Sequence, residues 1–385
     1  MVFALVAGTA FAEITGGGGF VADVVQGNSV AKNTLDTVTS SFGKSWWSLG
    51  AKVANEENTA GGKVGAQIVM AKDGIVPSFE QYGSTFFYAF WQPIPQLFIK
   101  VGKLDEDNKY WAGAGVNAWG YQSNSLRCDI GYNDYNGGVG NIIHPKEIFF
   151  SDKPTGGRWD NYSGLQVSLL PLDGLALNFS WNLGTGNFKR VFGEVAGQVV
   201  YKVGDIGTAA VAFSNTGLEN YKPKYLFAQW SMPLLDTMSL ELGARFQFHA
   251  VSDSSDDAAK EPIQLGLGFK YSADAFWITS RLDFEFGTDP DKKDPTKINF
   301  QLCPSFDLEI FRVYIPMGIA FKMQDGQDTL TFFVFNPYIR KSLGGGVNFW
   351  AGFQLYNGLT NNNSPAKADA DLVKWAIPIS IDFSL

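Results

Sequence analysis

Residues 238–249 read MSLELGARFQFH. Met238, Leu240, Leu242, Ala244, Phe246 and Phe248 are apolar, whereas Ser239, Glu241, Gly243, Arg245, Gln247 and His249 between them are polar, charged or small. Successive side chains of a β-strand point to opposite faces, so this stretch is a two-faced strand. The split recurs in 261–272, where Ile263, Leu265, Leu267, Phe269 and Tyr271 oppose Gln264, Gly266, Gly268, Lys270 and Ser272. In 276–287, Phe276, Ile278, Leu282, Phe284 and Phe286 oppose Thr279, Arg281, Asp283 and Glu285. In 298–310, Ile298, Phe300, Leu302, Phe306, Leu308 and Ile310 oppose Asn299, Gln301, Ser305, Asp307 and Glu309.

Alternation alone does not separate a water-soluble sandwich from a membrane barrel; three further features do. Each quoted run is 12 or 13 residues long, enough for the roughly 9–11 tilted residues that cross a bilayer and longer than the ~5–6 usual in soluble strands. Connections alternate in length. Short turns are expected around Pro93–Pro95, Pro171–Gly174, Gly204–Ile206, Pro233–Thr237, Ser272–Asp274, Phe311 and Leu343–Gly345. Longer polar connections fall near 104–109, 134–161, 184–192, 215–223, 250–260, 288–297 and 358–370. Outer-membrane barrels keep that parity, with short periplasmic turns and long external loops, and a sandwich has no reason to. Finally, Trp375, Ile377, Ile379, Ile381, Phe383 and Leu385 alternate up to the last residue. This resembles the terminal strand read by the barrel-assembly machinery, although that strand usually ends in Phe or Trp. Pro378 lies within it and is tolerated best where its nitrogen has no ladder partner.

The expected fold is therefore all-β: a transmembrane antiparallel up-and-down β-barrel of roughly 18–20 strands (range 14–20), its oily face toward lipid and its polar face toward an aqueous lumen. Aromatic girdles are expected from Trp91, Phe98, Tyr201, Trp230, Tyr271, Phe276, Phe311 and Phe383 at the short-turn rim. Tyr110, Trp111, Tyr162, Trp181, Phe286 and Trp375 would form the girdle at the long-loop rim.

The opening VFALVAGTAFA followed by Glu13 reads as a signal peptide over residues 1–12, shortened at its charged end, with cleavage after Ala12. Residues 13–385 then form a single barrel whose longest external loop is 134–161. That loop is a candidate for folding back into the pore as a constriction. The lumen-facing candidates are Glu241, Arg245, Lys270, Arg281, Asp283, Glu285, Asp307 and Lys322. Their mixed signs set up a transverse field that orients polar solutes, where a ring of one sign would select ions by charge.

Composition excludes much else. The net charge of -8 makes nucleic acid a poor partner. No run of about 18 apolar residues follows the N-terminus, which argues against transmembrane helices. Cys128 and Cys303 lack metal-ligand spacing, and only two histidines exist, His144 and His249. No catalytic site, metal or cofactor is therefore expected. Asp253, Asp256, Asp257 and Glu261 lack the glycine of a calcium loop, and Gly184–Lys189 lacks the ending of a phosphate loop.

Across nearly the whole mature chain the AFA-E cleavage site, the two-faced strands and the closing WAIPISIDFSL resemble bacterial outer-membrane barrels of porin type. The glycine content and turns such as QPIPQLFIKVGKL are similar to spirochaetal (treponemal) outer-membrane barrels. The resemblance implies a passive channel for small polar solutes, embedded in outer-membrane lipid and often trimeric, and it transfers no substrate-binding residue. Two other functions fit a barrel. One is a transporter for fatty acids or other hydrophobic compounds, for which residues 26–45 are a short hatch. The other is a surface adhesin or structural barrel with acidic external loops.

Overall fold

A computed structural model describes residues 11–30, 34–59, 62–73, 84–103, 110, 163–182, 195–215, 224–249, 262–287, 296–323, 328–357 and 373–384. The strands are β1 (Phe11–Val30), β2 (Thr34–Thr59), β3 (Gly62–Asp73), β4 (Ser84–Ile94), β5 (Leu97–Lys103), β6 (Ser163–Leu172) and β7 (Leu175–Asn182). They continue as β8 (Val195–Val203), β9 (Gly207–Asn215), β10 (Lys224–Leu235), β11 (Met238–His249), β12 (Pro262–Ser272), β13 (Phe276–Gly287) and β14 (Thr296–Asp307). The last are β15 (Arg312–Tyr314), β16 (Met317–Met323), β17 (Leu330–Phe335), β18 (Tyr338–Gly344), β19 (Val347–Gly352), β20 (Gln354–Asn357) and β21 (Val373–Ser384).

From β1 to β14 each strand pairs antiparallel with the next. Both β15 and β16 lie on β14, as two halves of one stave. In the same way β17 and β18 form the next stave, and β19 with β20 the one after. β21 pairs with β19 and β20 on one edge and with β1 on the other, so the ring closes on eighteen staves. Closure gives every strand a neighbour on both edges, as a backbone in hydrocarbon requires. Residues 26–30 and 34–45 are wall, within β1 and β2, and form no hatch.

All seven expected short turns are present and share one rim: between β4 and β5, β6 and β7, β8 and β9, β10 and β11, β12 and β13, β14 and β15, and β18 and β19. The expected long connections join strands at the opposite rim and fall outside the described residues, except that 296 and 297 belong to β14 and 215 to β9. One expectation changes. The connections at 104–109 and 134–161 belong to a single one, because β5 pairs directly with β6 from Lys103↔Ser163 to Leu97↔Leu169.

Burial is inverted relative to a soluble protein. Inward Gln166, Ser168, Asn178, Ser180, Gln198 and Gln301 are buried, while outward Val199, Val211, Phe213, Leu242, Leu267 and Phe284 are exposed. A sandwich would bury the second set and expose the first. Leaving such a continuous apolar belt in water would be prohibitive, so its solvent is the bilayer core. Trp91, Tyr201, Trp230 and Phe383 stand outward near the short-turn rim as a girdle. Phe98, expected among them, instead shares the inward parity of Lys100 and stacks on Phe90 with centroids 5.9 Å apart.

The hydrogen-bond ladder is interrupted at one height across neighbouring staves, with the register unchanged on either side, and proline explains it. Proline has no N–H for the ladder. Pro304, Pro316, Pro337 and Pro378 lie on β14, between β15 and β16, between β17 and β18, and on β21. Their neighbours use the carbonyls instead: Ile315 N–H donates to Pro304 O (3.0 Å), Asn336 N–H to Pro316 O (2.9 Å) and Phe353 N–H to Pro337 O (2.9 Å). Beside Pro378, the β1 register slips between Asp23 and Val25. Gly352 sits on this seam. A Cβ there would meet Pro337 O and Tyr338 Cβ at 2.8 Å each. Gly352→Ala is therefore expected to destabilise the barrel by about 1–3 kcal/mol, from overpacking, read as a lower denaturant midpoint in lipid vesicles.

Candidate functional site: the lumen and its short-turn mouth

The register distributes the eight lumen candidates over several rows. Glu241 and Arg281 share one row through Gly268, which separates them as Glu241↔Gly268↔Arg281. With no side chain between them, the two charges face each other across about 9–10 Å of wall. Arg281 is buried and Lys270 exposed. Lys270 lies one row nearer the short-turn rim, opposite Thr279. Toward the long-loop rim, Arg245, Glu285 and Lys322 occupy one row through Arg245↔Gln264↔Glu285↔Lys297↔Lys322. Asp283 lies in the row between these two, opposite Gly266. The side chains of Arg245, Asp283, Glu285 and Lys322 are outside the described residues. Asp307 stands apart from all of them, at the short-turn end of β14.

On the opposite part of the wall, Tyr110 lies in the lumen. Lys103 ends β5 at the long-loop rim, yet Tyr110 rests near the short-turn rim. Gln92 Nε2 donates to the Tyr110 hydroxyl at 3.2 Å and to Pro95 O at 3.1 Å. Asn178 Nδ2 donates to Tyr110 O at 2.8 Å, and Phe98 meets the ring edge-on at 5.3 Å. These partners belong to the inward faces of β4, β5 and β7. Tyr110 was expected in the outer girdle; it is a lumen residue. Next to it, Lys100 is buried with its ammonium 3.7 Å from the Tyr88 ring centre, and the Tyr88 hydroxyl donates to Gln67 Oε1 at 2.5 Å. Tyr110→Ala is expected to raise single-channel conductance, since it removes an anchored ring from the lumen cross-section. An unchanged conductance would place the narrowest point elsewhere.

A second group was not anticipated. Just inside the proline seam, Tyr314, Tyr338 and Trp350 are buried on the inward face with Cys303. Tyr314 and Tyr338 stack at 4.7 Å and 16°, Trp350 lies 5.6 Å from Tyr338, and Trp277 meets Tyr314 edge-on at 5.9 Å. The next row toward the rim runs Asp307↔Arg312↔Arg340↔Trp350↔Ser380. Arg312 Nε donates to Asp307 Oδ2 at 2.7 Å, and its guanidinium sits 5.7 Å from the Trp277 ring. Arg340 lies 5.1 Å from the Trp350 ring and donates through Nε (3.3 Å) and Nη2 (3.0 Å) to Asn348 Oδ1. Asn348 Nδ2 and Trp350 Nε1 in turn donate to the two oxygens of Asp382, at 2.9 and 2.6 Å. The aromatic pier thus fixes two guanidinium groups at the mouth. They line a cavity of about 330 Å³ with Asp307, Glu309, Ile310, Phe311 and Ser342. Sequence reading missed this group because its inward residues are themselves aromatic or apolar, so the two faces of the period-two pattern look alike. The local alternations Arg312-Val313-Tyr314 and Tyr338-Ile339-Arg340 carried the only signal.

Eighteen antiparallel staves, an apolar exterior and a polar, charged interior define a porin-type transmembrane barrel fold. Solved structures of similar fold span nearly the whole chain. OpdL of Pseudomonas aeruginosa superposes with a TM-score of 0.56 at 9% identity, covering 97% of this chain and 98% of its own. OpdQ of the same organism gives 0.54 at 12% identity, covering 98% of each chain. The outer membrane channel DcaP of Acinetobacter baumannii gives 0.53 at 10% identity, again covering 98% of each. No protein-family model and no curated protein sequence matches the chain.

Proposed function

We propose that this protein is a bacterial outer-membrane channel that lets small hydrophilic solutes diffuse through a mixed-charge lumen. The observation that carries the reading is the inverted burial around a closed ring of eighteen staves. A barrel of that size has more room than its own side chains fill, and the described inward residues are polar or charged at most heights. DcaP, an outer membrane channel, shares the fold. An apolar lumen suited to hydrophobic cargo is not what the described inward faces of β6, β7 and β8 offer, since Gln166, Ser168, Asn178, Ser180 and Gln198 lie there.

In this reading the short-turn rim is periplasmic and the long connections are external. Glu241, Arg245, Lys270, Arg281, Asp283, Glu285, Asp307 and Lys322 line the passage. Tyr110 supports a constriction built by the connection between β5 and β6, to which 134–161 belongs. The strand from Trp375 to Leu385 is the segment handed to the assembly machinery, and trimeric association in the outer membrane of a spirochaete-like cell accords with the sequence resemblance. Purified protein in planar bilayers is expected to give discrete conductance steps; their absence would remove the channel reading and leave an adhesin or structural barrel. Export with cleavage after Ala12 predicts that the mature N-terminal residue is Glu13, checked by mass spectrometry of the protein from outer membranes.

A further inference from the structure

We propose that the short-turn rim is itself embedded in lipid: the oily belt runs on into the turns, whose aliphatic side chains enter the edge of the hydrocarbon while the acidic residues beside them meet the headgroup layer. The proposal rests on the placement of the barrel in a bilayer, and not on whether its lumen conducts.

The outward rows of the wall carry it. Ile94, at the turn between β4 and β5, belongs to the row Ile94↔Leu97↔Leu169↔Leu177↔Val199↔Val211. Leu172, at the turn between β6 and β7, belongs to Leu172↔Leu175↔Tyr201↔Ala209↔Trp230↔Leu242 and so shares its row with Tyr201 and Trp230 of the girdle. Leu235, at the turn between β10 and β11, belongs to Leu235↔Met238↔Tyr271↔Ile278. These rows lie on the lipid side of the wall. On β6 the outward residues Leu165, Val167, Leu169 and Leu172 lead into the turn with no polar residue among them.

Exposure rises on the way to the rim. Ile94 is 53%, Leu172 67% and Leu235 63% exposed, against 39% for Leu267 at mid-wall. Single exposed aliphatics are ordinary on a protein surface and need no explanation. Their recurrence along one rim does. Among the described residues, six of the seven short turns carry a large exposed one: Ile94, Leu172, Ile206, Leu235, Leu308 and Leu343. A docked protein would cover one arc of the rim. A bilayer meets the wall wherever it faces outward, and the spread of these residues around the rim fits the bilayer, which already covers the belt above them.

Their polar neighbours place the boundary. Asp173, Asp205, Asp236 and Glu309 adjoin Leu172, Ile206, Leu235 and Leu308 in sequence, and all four are exposed. A charged group deep in hydrocarbon is costly, so the hydrocarbon ends at these turns and not beyond them. Lys341 agrees. It is exposed, outward, and two positions before Leu343, and its stem carries the ammonium toward the turn, as lysines near an interface do.

The test is nitroxide scanning of the folded full-length barrel in phosphatidylcholine vesicles. Cys128→Ser removes one native thiol, and Cys303, 0% exposed, is sealed from the labelling reagent. Labels at Ile94→Cys, Leu172→Cys and Leu235→Cys are read by power saturation in electron paramagnetic resonance. Oxygen, which concentrates in lipid, is compared with a nickel chelate, which stays in water. Leu267→Cys is the lipid reference, and Asp274→Cys, on the short turn without a large aliphatic, is the water reference. The ratio of oxygen to nickel access at the three turn sites is expected to exceed that of Asp274→Cys severalfold and to stay below that of Leu267→Cys. The sites lie on separate turns, so a variant that fails to fold leaves the others to decide. Turn labels as open to nickel as Asp274→Cys, with Leu267→Cys still in lipid, overturn the proposal and leave the rim in water. Nickel access at Leu267→Cys would instead remove the bilayer from the outward wall altogether, which is a failure of the reading beneath the proposal.

Discussion

Trp350→Ala is expected to cost about 3–5 kcal/mol of barrel stability, the range for truncating a fully buried large aromatic. Trp350 is 0% exposed, although its strand crosses a barrel whose interior is nominally wet. Three losses combine. The ring leaves a void beside the stacked Tyr338 and Tyr314. Asp382 Oδ2 loses the indole N–H that it accepts at 2.6 Å. Arg340 loses the face over which its guanidinium lies. Trp350→Phe keeps most of the packing and the ring face, and removes the N–H; it should cost about 1–3 kcal/mol, the penalty for a buried acceptor left without its donor. Guanidinium unfolding from lipid vesicles, followed by tryptophan fluorescence, separates the two variants, and the other ten of the chain's 11 tryptophans still report the transition. If Trp350→Ala unfolded at the wild-type midpoint, the aromatic group would be decoration on the wall rather than its brace. Gly346 argues for a brace from the adjoining turn. Ser384 N–H donates to its carbonyl at 3.1 Å, at the end of β21, so the turn carrying β18 into β19 clips the last strand beside the closing seam.

How much of this could be read from the sequence follows the regularity of the wall. Between Met238 and Asp307 the described residues agree with the face they occupy except at Ser280 and Trp277, and strands and turns were legible to within a few residues, although the run read over 298–310 begins at Thr296 and ends at Asp307. The N-terminal staves were harder. Gly16–Gly19 carry no side chains to alternate, yet they pair on both sides, with Leu49–Trp46 and, from Gly17, with Ser384–Asp382. Their role as the closing seam depends on a partner more than 300 residues away. From Arg312 to Asn357 both faces carry aromatic and apolar residues, so Tyr314, Tyr338 and Trp350 read as scattered aromatics and only the register brings them together. Tyr110 was illegible for a different reason. Nothing in the sequence around Tyr110 states on which side of the wall it lies; that is decided by Gln92, Asn178 and Phe98 on three separate strands. Both misplaced aromatics, Phe98 and Tyr110, were assigned to lipid because distance from a turn predicts height in the membrane but not side of the wall.

The same distinction between sides gives the second large effect. Leu267 lies at the middle of β12, 39% exposed, in an outward row that reads Leu242↔Leu267↔Leu282↔Phe300↔Ile319. Leu267→Arg is expected to destabilise the folded barrel by about 2–4 kcal/mol, the cost of a guanidinium facing lipid near the bilayer midplane. Unfolding free energy in vesicles measures it. The companion change is Ser280→Arg, also outward but beside Phe269 and Leu302, one row nearer the short-turn rim. It should cost less, because the charge has a shorter way to the interface. Lys270→Gln, inward and exposed, should fall within about 0.5 kcal/mol of wild type, as changes away from buried contacts do. The ordering matters more than any one value. A protein that buried this row in a second protein layer would lose stability with every outward arginine whatever its height, because a sealed core has no rim to which the charge can reach. A cost that falls with distance from the midplane is the mark of a lipid solvent, and Leu267, at the centre of the most regular part of the wall, is where the two solvents differ most.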